Sequence, residues 1–162
     1  MPDKLDIGCA DKRPDGYMGL DIQYFEYPDK NFVVADLNDI LPFDDNSFTE
    51  VRAMYVLEHL YNDKKISFMN EIYRILKPQG NFVAAFPPPI MRTGSPSGMF
   101  YCDPTHYAYW MPGTFSCFSK EFRDKSNSNE TYEKGYGIKA SFEVAQASWV
   151  DDYIFYVVLS KE

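Results

Sequence analysis

The sequence predicts an α/β fold built on one mostly parallel sheet. Three observations favour this fold: short apolar runs near the amino terminus end in a glycine or an aspartate, an amphipathic helical pattern follows the fourth run, and two β-rich runs close the chain. A chain of 162 residues corresponds to about one domain with a single core. We therefore expect one domain over residues 1–162.

Three apolar runs predict the first three strands, at residues 4–7, 17–21 and 31–35, and residues 50–55, after an acidic turn, predict the fourth. The segments between the first three runs are short and carry proline, glycine and charge, whereas a crossover helix needs about a dozen residues or more. The first crossover helices are therefore expected to be reduced or missing. Residues 56–60, after the fourth run, are expected to form a single helical turn.

The clearest helix is predicted over residues 64–76, where apolar residues recur at helical spacing. Pro78 is expected to stop it by blocking continuation, and Gly80 by accepting a positive φ. A fifth strand is predicted at residues 81–86. The helix and this strand complete the parallel part of the sheet.

A long irregular segment rich in aromatic residues follows at residues 87–113. Loops of this length inside a domain are usually functional or mobile. Thr114 is expected to cap a helix over 115–124 whose Phe118 and Phe122 face inward. The β-rich runs at 141–150 and 153–160 predict a hairpin of antiparallel edge strands.

Composition excludes several classes of partner. A net charge of −8 repels phosphate backbones and anionic lipid, so nucleic acid and membranes are not expected as partners. The sequence has no apolar run of about 20 residues and no signal-peptide pattern at its start, so we expect a cytoplasmic protein. Cys9, Cys102 and Cys117 are odd in number and lack a C-x-x-C spacing, which predicts free thiols and no metal site.

A nucleoside pocket is predicted where the second and third strands end. Asp21 and Asp36 end these strands, and Gly8 forms a turn after the first. In a parallel sheet the carboxyl ends of the strands share one edge, where a carboxylate can accept hydrogen bonds from ribose hydroxyls. Each feature taken singly is equally typical of a structural turn or a surface acid. The glycine pattern of NAD and FAD enzymes is absent after Gly8, which disfavours those cofactors.

These residues resemble the class I S-adenosylmethionine-dependent methyltransferases, in particular small members with a shortened amino-terminal half. The resemblance covers roughly residues 4–86 and rests on the following blocks: Leu5-Asp6-Ile7-Gly8-Cys9-Ala10, Gly19-Leu20-Asp21, Ala35-Asp36-Leu37, Leu41-Pro42-Phe43 with Phe48, Val56-Leu57-Glu58-His59-Leu60 and Leu76-Lys77-Pro78-Gln79-Gly80. It implies a Rossmann-like sheet with a cofactor-binding core at 4–86, an acceptor or lid segment at 87–125 and a terminal hairpin at 141–160. It also implies S-adenosylmethionine as the cofactor.

The resemblance assigns parts of the cofactor to individual residues. The turn at Gly8 would approach the methionine part, Asp21 would hold the ribose, Asp36 beside Leu37 would face the adenine, and the backbone around Tyr55 would line the methionine tail. The full expected set is Asp6, Gly8, Cys9, Ala10, Asp21, Ile22, Asp36, Leu37, Met54, Tyr55 and His59. Ala10 replaces the second glycine of the motif, and its methyl group leaves less room for the cofactor.

Both histidines fall near the expected cleft and are the candidate catalytic bases. His106 is the stronger candidate because it lies in the aromatic segment, where this family builds its acceptor pocket, with Asp103 close enough to orient it. A turn fixed by Asp103 and Pro104 with a structural histidine is the equal alternative. The expected acceptor-binding residues are Tyr101, Asp103, His106, Tyr107 and Trp110, with Tyr109 beside them.

The function expected from these residues is methyl transfer to a small-molecule or sugar-like acceptor. Two alternatives stay open. A degenerate, non-catalytic module would use the aromatic segment to hold a partner chain, which the missing helices and Ala10 would explain. A nucleotide-dependent oxidoreductase is disfavoured by the absent glycine pattern.

Overall fold

Seven strands form a single sheet in the computed structural model, which describes residues 1–162. Their bounds are β1 Lys4–Ile7, β2 Met18–Asp21, β3 Phe32–Val34, β4 Phe48–Met54, β5 Leu76–Phe86, β6 Phe142–Trp149 and β7 Phe155–Lys161. The order across the sheet is β3-β2-β1-β4-β5-β7-β6. The strands β1 to β5 pair in parallel, while β7 is antiparallel to both β5 and β6. The predicted α/β fold with a carboxyl-terminal hairpin is confirmed.

The helices are concentrated after β4. They are α1 Lys65–Ile75, α2 Gly98–Tyr101 and α3 Lys120–Lys125, and the connections that join β1 through β4 contain no α-helix. The prediction of reduced or missing first crossovers is therefore confirmed. A 3₁₀ turn at Leu57–His59 supplies the helical turn expected after β4. None of these helices has the length and hydrophobicity that crossing a membrane requires.

The end of α1 differs from the prediction. The helix ends at Ile75 and β5 begins at the next residue, so the predicted stop at 77–80 lies within the strand. The positive φ occurs at Gln79, at 63°, and not at Gly80. Gly80 is required for space, because a Cβ there would lie 2.9 Å from the carbonyl oxygen of Lys77.

The predicted helix over 115–124 is wrong, because the segment is broken at Ser119. A 3₁₀ helix runs over Pro112–Phe118, and the extended backbone of Ser119 then lets its hydroxyl cap α3 by accepting from the amide of Phe122. Thr114 is not a cap residue of a longer helix. The break leaves Phe118 buried as predicted but turns Phe122 outward, 42% exposed.

The sheet buries one face more completely than the other. Alternate residues such as Leu5, Ile7 and Val51 are fully buried in the main core with the apolar side of α1. Of the polar residues that alternate with them, Lys4 and Arg52 are half buried, and Asp6 is buried beside Arg52. Because side chains alternate along a strand, these polar positions share the opposite face, where the crossover helices are missing.

Candidate cofactor and acceptor site

The carboxyl ends of β1 to β4 border a cleft of about 310 Å³. In the register of the sheet Ile7 lies beside Leu20 and Ala53, so the residues that follow these positions meet at one edge. The cleft is lined by Gly8, Asp21, Ile22, Ala35, Asp36, Leu37, Asn38, Tyr55, Val56, His59 and Leu60. A volume of this size falls within the range of small-ligand sites, about 300–1,000 Å³.

Gly8 sets the turn after β1 because no other residue fits there. Its φ is +64°, and a Cβ at this position would lie 1.8 Å from Cγ2 of Val56. Its amide donates to the carbonyl oxygen of Leu20 at 2.7 Å. The backbone of Gly8 is therefore held at the wall of the cleft without any side chain.

Both oxygens of the Asp21 carboxylate are fixed by backbone amides. Oδ2 accepts from the amide of Ala10 at 3.0 Å, and Oδ1 accepts from the amide of Gln23 at 3.2 Å. A carboxylate oxygen has more than one acceptor direction, so each can accept a further hydrogen bond. The braced carboxylate at the cleft is suited to binding two hydroxyl groups.

Asp36 is oriented by the residue two positions on. Its Oδ1 accepts from both the amide and the side-chain Nδ2 of Asn38, each at 2.8 Å. Asn38 in turn accepts from the amide of Tyr61 at 2.9 Å through its Oδ1, which ties the end of β3 to the segment after β4. The remaining Oδ2 of Asp36 makes no hydrogen bond within the protein, so it is free for a donor in the cleft.

Tyr55 turns the chain out of the sheet at the end of β4. Its φ is +57°, and its amide donates to the carbonyl oxygen of Ala85 at 2.8 Å. A non-glycine residue in this conformation costs on the order of 1–3 kcal/mol, and such strain is concentrated at functional sites. The half-exposed ring of Tyr55 lines the cleft.

Four of the residues expected to contact the cofactor do not line the cleft, namely Asp6, Cys9, Ala10 and Met54. Asp6 is buried on the opposite face of β1, 3.4 Å from Nε of Arg52, and burial raises the pKa of its carboxyl to about 6. The Cys9 thiol lies beside the hydroxyl of Tyr27, and burial raises its pKa. Ala10 does not line the cleft, but its amide donates a hydrogen bond to Asp21, which does.

The segment after β5 is anchored to the 3₁₀ turn at Leu57–His59. The amides of Tyr107 and Ala108 both donate to the carbonyl oxygen of Glu58, at 2.8 and 3.0 Å, and Nε1 of Trp110 donates to that of Leu57 at 2.8 Å. These bonds connect the predicted acceptor segment to the wall of the cleft.

Trp110 is not a wall of the acceptor pocket, contrary to the sequence prediction. It is 1% exposed and stacks on Phe115 with 5.3 Å between ring centroids, so it belongs to the core. Tyr101, Tyr107 and Tyr109 are each about half exposed. The surface-accessible aromatic residues of this segment are therefore the tyrosines.

His59 and His106 come together, with 4.8 Å between their ring centroids. The ring of His106 is oriented by the carbonyl oxygen of Phe100, 2.9 Å from its Nδ1, and not by Asp103 as the sequence suggested. The nearest oxygen of Asp103 lies 3.7 Å from Nε2 of His106, because its other oxygen is held by the amide and hydroxyl of Thr105. These bonds from Thr105 lower the pKa of Asp103.

Glu58 is a buried carboxyl that sequence reasoning did not single out. It is 2% exposed, its Oε2 has no hydrogen-bond partner, and burial raises the pKa of the carboxyl to about 8. In the sequence it looks like an ordinary acid in the first turn of a short helix. Tyr107 and Ala108, whose amides donate to its carbonyl oxygen, are some fifty positions away in the sequence. No pattern in the residues next to Glu58 therefore predicts its burial.

A larger depression of about 650 Å³ lies away from the strand ends. Its one arginine, Arg74, is already paired with Glu71 at 2.7 Å and with Asp45 at 2.9 Å. The smaller cleft at the strand ends is therefore the better candidate site.

The fold and the cleft together are those of an α/β domain that presents polar groups at the carboxyl ends of adjacent parallel strands, where ligands bind in this class of sheet. A family model described as a methyltransferase domain matches residues 5–84. This match, over about half of the chain, supports a class I S-adenosylmethionine-dependent methyltransferase with S-adenosylmethionine as its cofactor.

Solved structures with the same fold include S-adenosylmethionine-dependent methyltransferases from three organisms. The Archaeoglobus fulgidus protein aligns with a TM-score of 0.59 and 18% identity over 98% of this chain and 85% of its own. The Mesorhizobium loti protein gives 0.60 and 12% over 98% and 90%, and the Aquifex aeolicus protein gives 0.57 and 14% over 98% and 81%. At these identities the likeness concerns the fold. No curated protein sequence matches the chain.

Proposed function

We propose that this methyltransferase acts in the cytoplasm on a small-molecule or sugar-like acceptor, held between residues 87–118 and the strand ends. The observation that carries the proposal is the pair of oriented carboxylates, Asp21 and Asp36, along one cleft that continues to two histidines. When bound, S-adenosylmethionine supplies a methyl group on a positively charged sulfur. The net charge of −8 supports a small acceptor over nucleic acid.

The residues of the cleft fit the parts of this cofactor. In the proposal, Asp21 accepts hydrogen bonds from both ribose hydroxyls, and the free Oδ2 of Asp36 accepts from the adenine amine beside Leu37. The bare backbone of Gly8 and the wall at Tyr55 hold the methionine portion. Each assignment uses a carboxylate oxygen or a backbone segment that the protein holds in place. The carboxylate oxygens can still accept a hydrogen bond from the ligand.

The acceptor side is assigned to the half-exposed tyrosines Tyr101, Tyr107 and Tyr109. Their rings can stack on a flat or sugar-like face or contact a cation. Orienting two reactants can supply about 7–11 kcal/mol of barrier reduction, so positioning is the main task of these residues. His106, with His59 beside it, is the proposed base for an acceptor that must lose a proton.

Substituting Asp21 tests the cofactor assignment. We expect Asp21→Ala to weaken S-adenosylmethionine binding by about 100-fold or more in calorimetric titration, since each hydrogen bond to a charged group contributes about 1.5–3 kcal/mol. The matched control is Asp11→Ala, which removes an exposed carboxylate outside the cleft. Unchanged affinity in folded Asp21→Ala protein would remove the ribose assignment.

Turnover distinguishes the proposed transfer from the alternative of a non-catalytic module. The wild-type protein is incubated with S-adenosylmethionine and a panel of sugars, nucleotide sugars and small hydroxylated or amino acceptors, and S-adenosylhomocysteine is measured by mass spectrometry. We expect acceptor-dependent product that Asp21→Ala does not form. Tight cofactor binding with no product from any acceptor class would contradict the proposal and favour a module that binds a partner chain.

A further inference from the structure

Three side chains with metal-binding atoms converge beside the cofactor cleft. Glu58 and His59 come from the 3₁₀ turn after β4, and His106 comes from the segment after β5. One ligand atom from each residue lies within 4.8 Å of the other two. The amides of Tyr107 and Ala108 hold this arrangement by donating to the carbonyl oxygen of Glu58.

The His106 ring makes one hydrogen bond, through Nδ1, and the nearest carboxylate oxygen to its Nε2 is Oδ2 of Asp103 at 3.7 Å. Its Nδ1 lies 2.9 Å from the carbonyl oxygen of Phe100. A carbonyl oxygen can only accept, so in the neutral ring Nδ1 carries the proton and Nε2 keeps its lone pair. A carbonyl partner of this kind is the usual means by which proteins orient a histidine that binds a metal.

His59 is oriented in the same way by Thr105. Its Nδ1 lies 3.2 Å from the carbonyl oxygen of Thr105 and 3.0 Å from the hydroxyl oxygen. That hydroxyl donates its own proton to Asp103 at 2.6 Å, so it accepts from the histidine. Both rings therefore carry the proton on Nδ1, and both offer the Nε2 lone pair.

Glu58 supplies the independent sign that a ligand belongs here. The residue is 2% exposed, and its Oε2 has no hydrogen-bond partner in the protein. A buried polar atom without a partner is destabilising and rare in folded proteins. The Glu58 carboxyl group is part of the same cluster as the two histidines, so one ion could be bound by all three side chains.

We propose that Glu58, His59 and His106 bind a divalent transition-metal ion of the zinc type at the edge of the cofactor cleft. Two imidazoles and one carboxylate suit Zn²⁺, Co²⁺, Ni²⁺ or Fe²⁺, whereas Mg²⁺ and Ca²⁺ take oxygen ligands. Ligand atoms around a tetrahedral zinc ion are about 3.3–3.5 Å apart, so binding draws the three groups together. Three protein ligands leave a position open to water or to an acceptor atom, next to the cleft that His59 lines. With the ion bound, both histidines are ligands and neither is a base, so the role of His106 as a base proposed above applies to the protein without the ion.

The test is a metal titration of the full chain after chelator treatment, without S-adenosylmethionine. Calorimetry with Zn²⁺ and visible absorption with Co²⁺ are expected to show one site per chain with a tetrahedral or five-coordinate Co²⁺ spectrum. Glu58→Gln, His59→Gln and His106→Gln are each expected to weaken binding by roughly 100-fold or more, since even losing a hydrogen-bond partner of a ligand costs about 10–100-fold. Far-UV circular dichroism shows whether each variant is folded.

Cys102→Ser is the control, because Cys102 is an exposed thiol four positions before His106 in the sequence and the chain has no third histidine. Binding that is kept in Cys102→Ser and lost in the exposed-residue variant His59→Gln supports the proposal, even if His106→Gln fails to fold. No stoichiometric binding of either metal by the wild-type protein, or binding unchanged by Glu58→Gln and His59→Gln, overturns it. Cofactor binding by the wild-type protein is measured separately and tests the proposed function on its own.

Discussion

Ala10 adopts a backbone conformation that favours glycine, at the turn that holds Asp21. Its φ is +45°, which costs an L-residue with a Cβ about 1–2 kcal/mol. The turn keeps this conformation because the Ala10 amide donates to the Asp21 carboxylate at 3.0 Å. Some stability is therefore given up at the residue that orients the proposed ribose ligand.

Replacing Ala10 by glycine is expected to stabilise the protein. The relief of strain exceeds the entropic cost of glycine in the unfolded chain, so we expect Ala10→Gly to raise the free energy of unfolding by about 0.5–1 kcal/mol in urea denaturation. The control is Ala145→Gly, an exposed position in β6 without a positive φ, which is expected to lower it by a similar amount. Equal losses in both variants would show that Ala10 is not strained.

Single residues differ in how far the sequence reveals them. Asp21 and Asp36 could be predicted because each ends an apolar run, and the ends of parallel strands meet at one edge. Glu58 and Trp110 could not, since both depend on contacts between the turn at 57–59 and a segment about fifty residues later. From the sequence alone, an aromatic residue in a long loop can be a pocket wall or a core residue, and only its burial in the structure distinguishes the two.

At the level of elements, the 3₁₀ turn at Leu57–His59 and the segment after β5 form one unit. Trp110 is its main anchor, since its indole donates to the Leu57 carbonyl while its ring stacks on Phe115. The same unit carries both histidines at the edge of the cleft. Its stability therefore bears on the site as well as on the fold.

Trp110→Phe tests whether this residue is a core anchor or a pocket wall. We expect a loss of about 2 kcal/mol in the free energy of unfolding, because the variant gives up a buried hydrogen bond and leaves unfilled space. Tyr109→Phe, at a half-exposed neighbour, should stay within about 0.5 kcal/mol. If Trp110→Phe kept wild-type stability and altered only acceptor binding, the predicted wall would be right and the core assignment wrong.

The elements also show where local signals compete. The helical spacing of the apolar residues predicted both ends of α1 to within one residue, because these residues all face one core. The segment 112–125 contains the same kinds of residue, but Ser119 prefers to cap α3 and so splits the predicted helix in two. The positive φ at Gln79 likewise follows from the bulged pairing of β5 with β4, which no local pattern encodes.

Across the whole molecule, the missing crossover helices change the character of the sheet. A parallel sheet covered by helices on both faces consists of nearly continuous apolar runs. In β4 buried residues alternate with partly exposed ones, and cross-strand partners on the second face carry opposite charges, Lys4 opposite Glu50 and Asp6 opposite Arg52. The fold therefore replaces a layer of helices by a charged sheet face.

Asp6 is the most deeply buried charge of that face, and it gives the protein a specific pH dependence. Its neighbours Arg52 and Arg13 lower the pKa, but burial outweighs them and raises it from 3.8 to about 6. A carboxyl with a raised folded-state pKa favours folding when protonated. The stability it contributes is thus fully present below pH 3.8 and is lost as the pH rises through about 6.

Asp6→Asn should remove this pH dependence, since an amide does not ionise. Relative to the variant, wild-type protein is expected to lose on the order of 2 kcal/mol of unfolding free energy between pH 4 and pH 7, from the change in pKa at 1.36 kcal/mol per pKa unit. Urea denaturation at several pH values measures both curves, and Asp15→Asn, at an exposed carboxyl, is the control that should follow the wild type. Parallel curves for wild type and Asp6→Asn would mean that the pKa of Asp6 is the same in the folded and the unfolded protein. The second face of the sheet would then be more hydrated than its packing indicates.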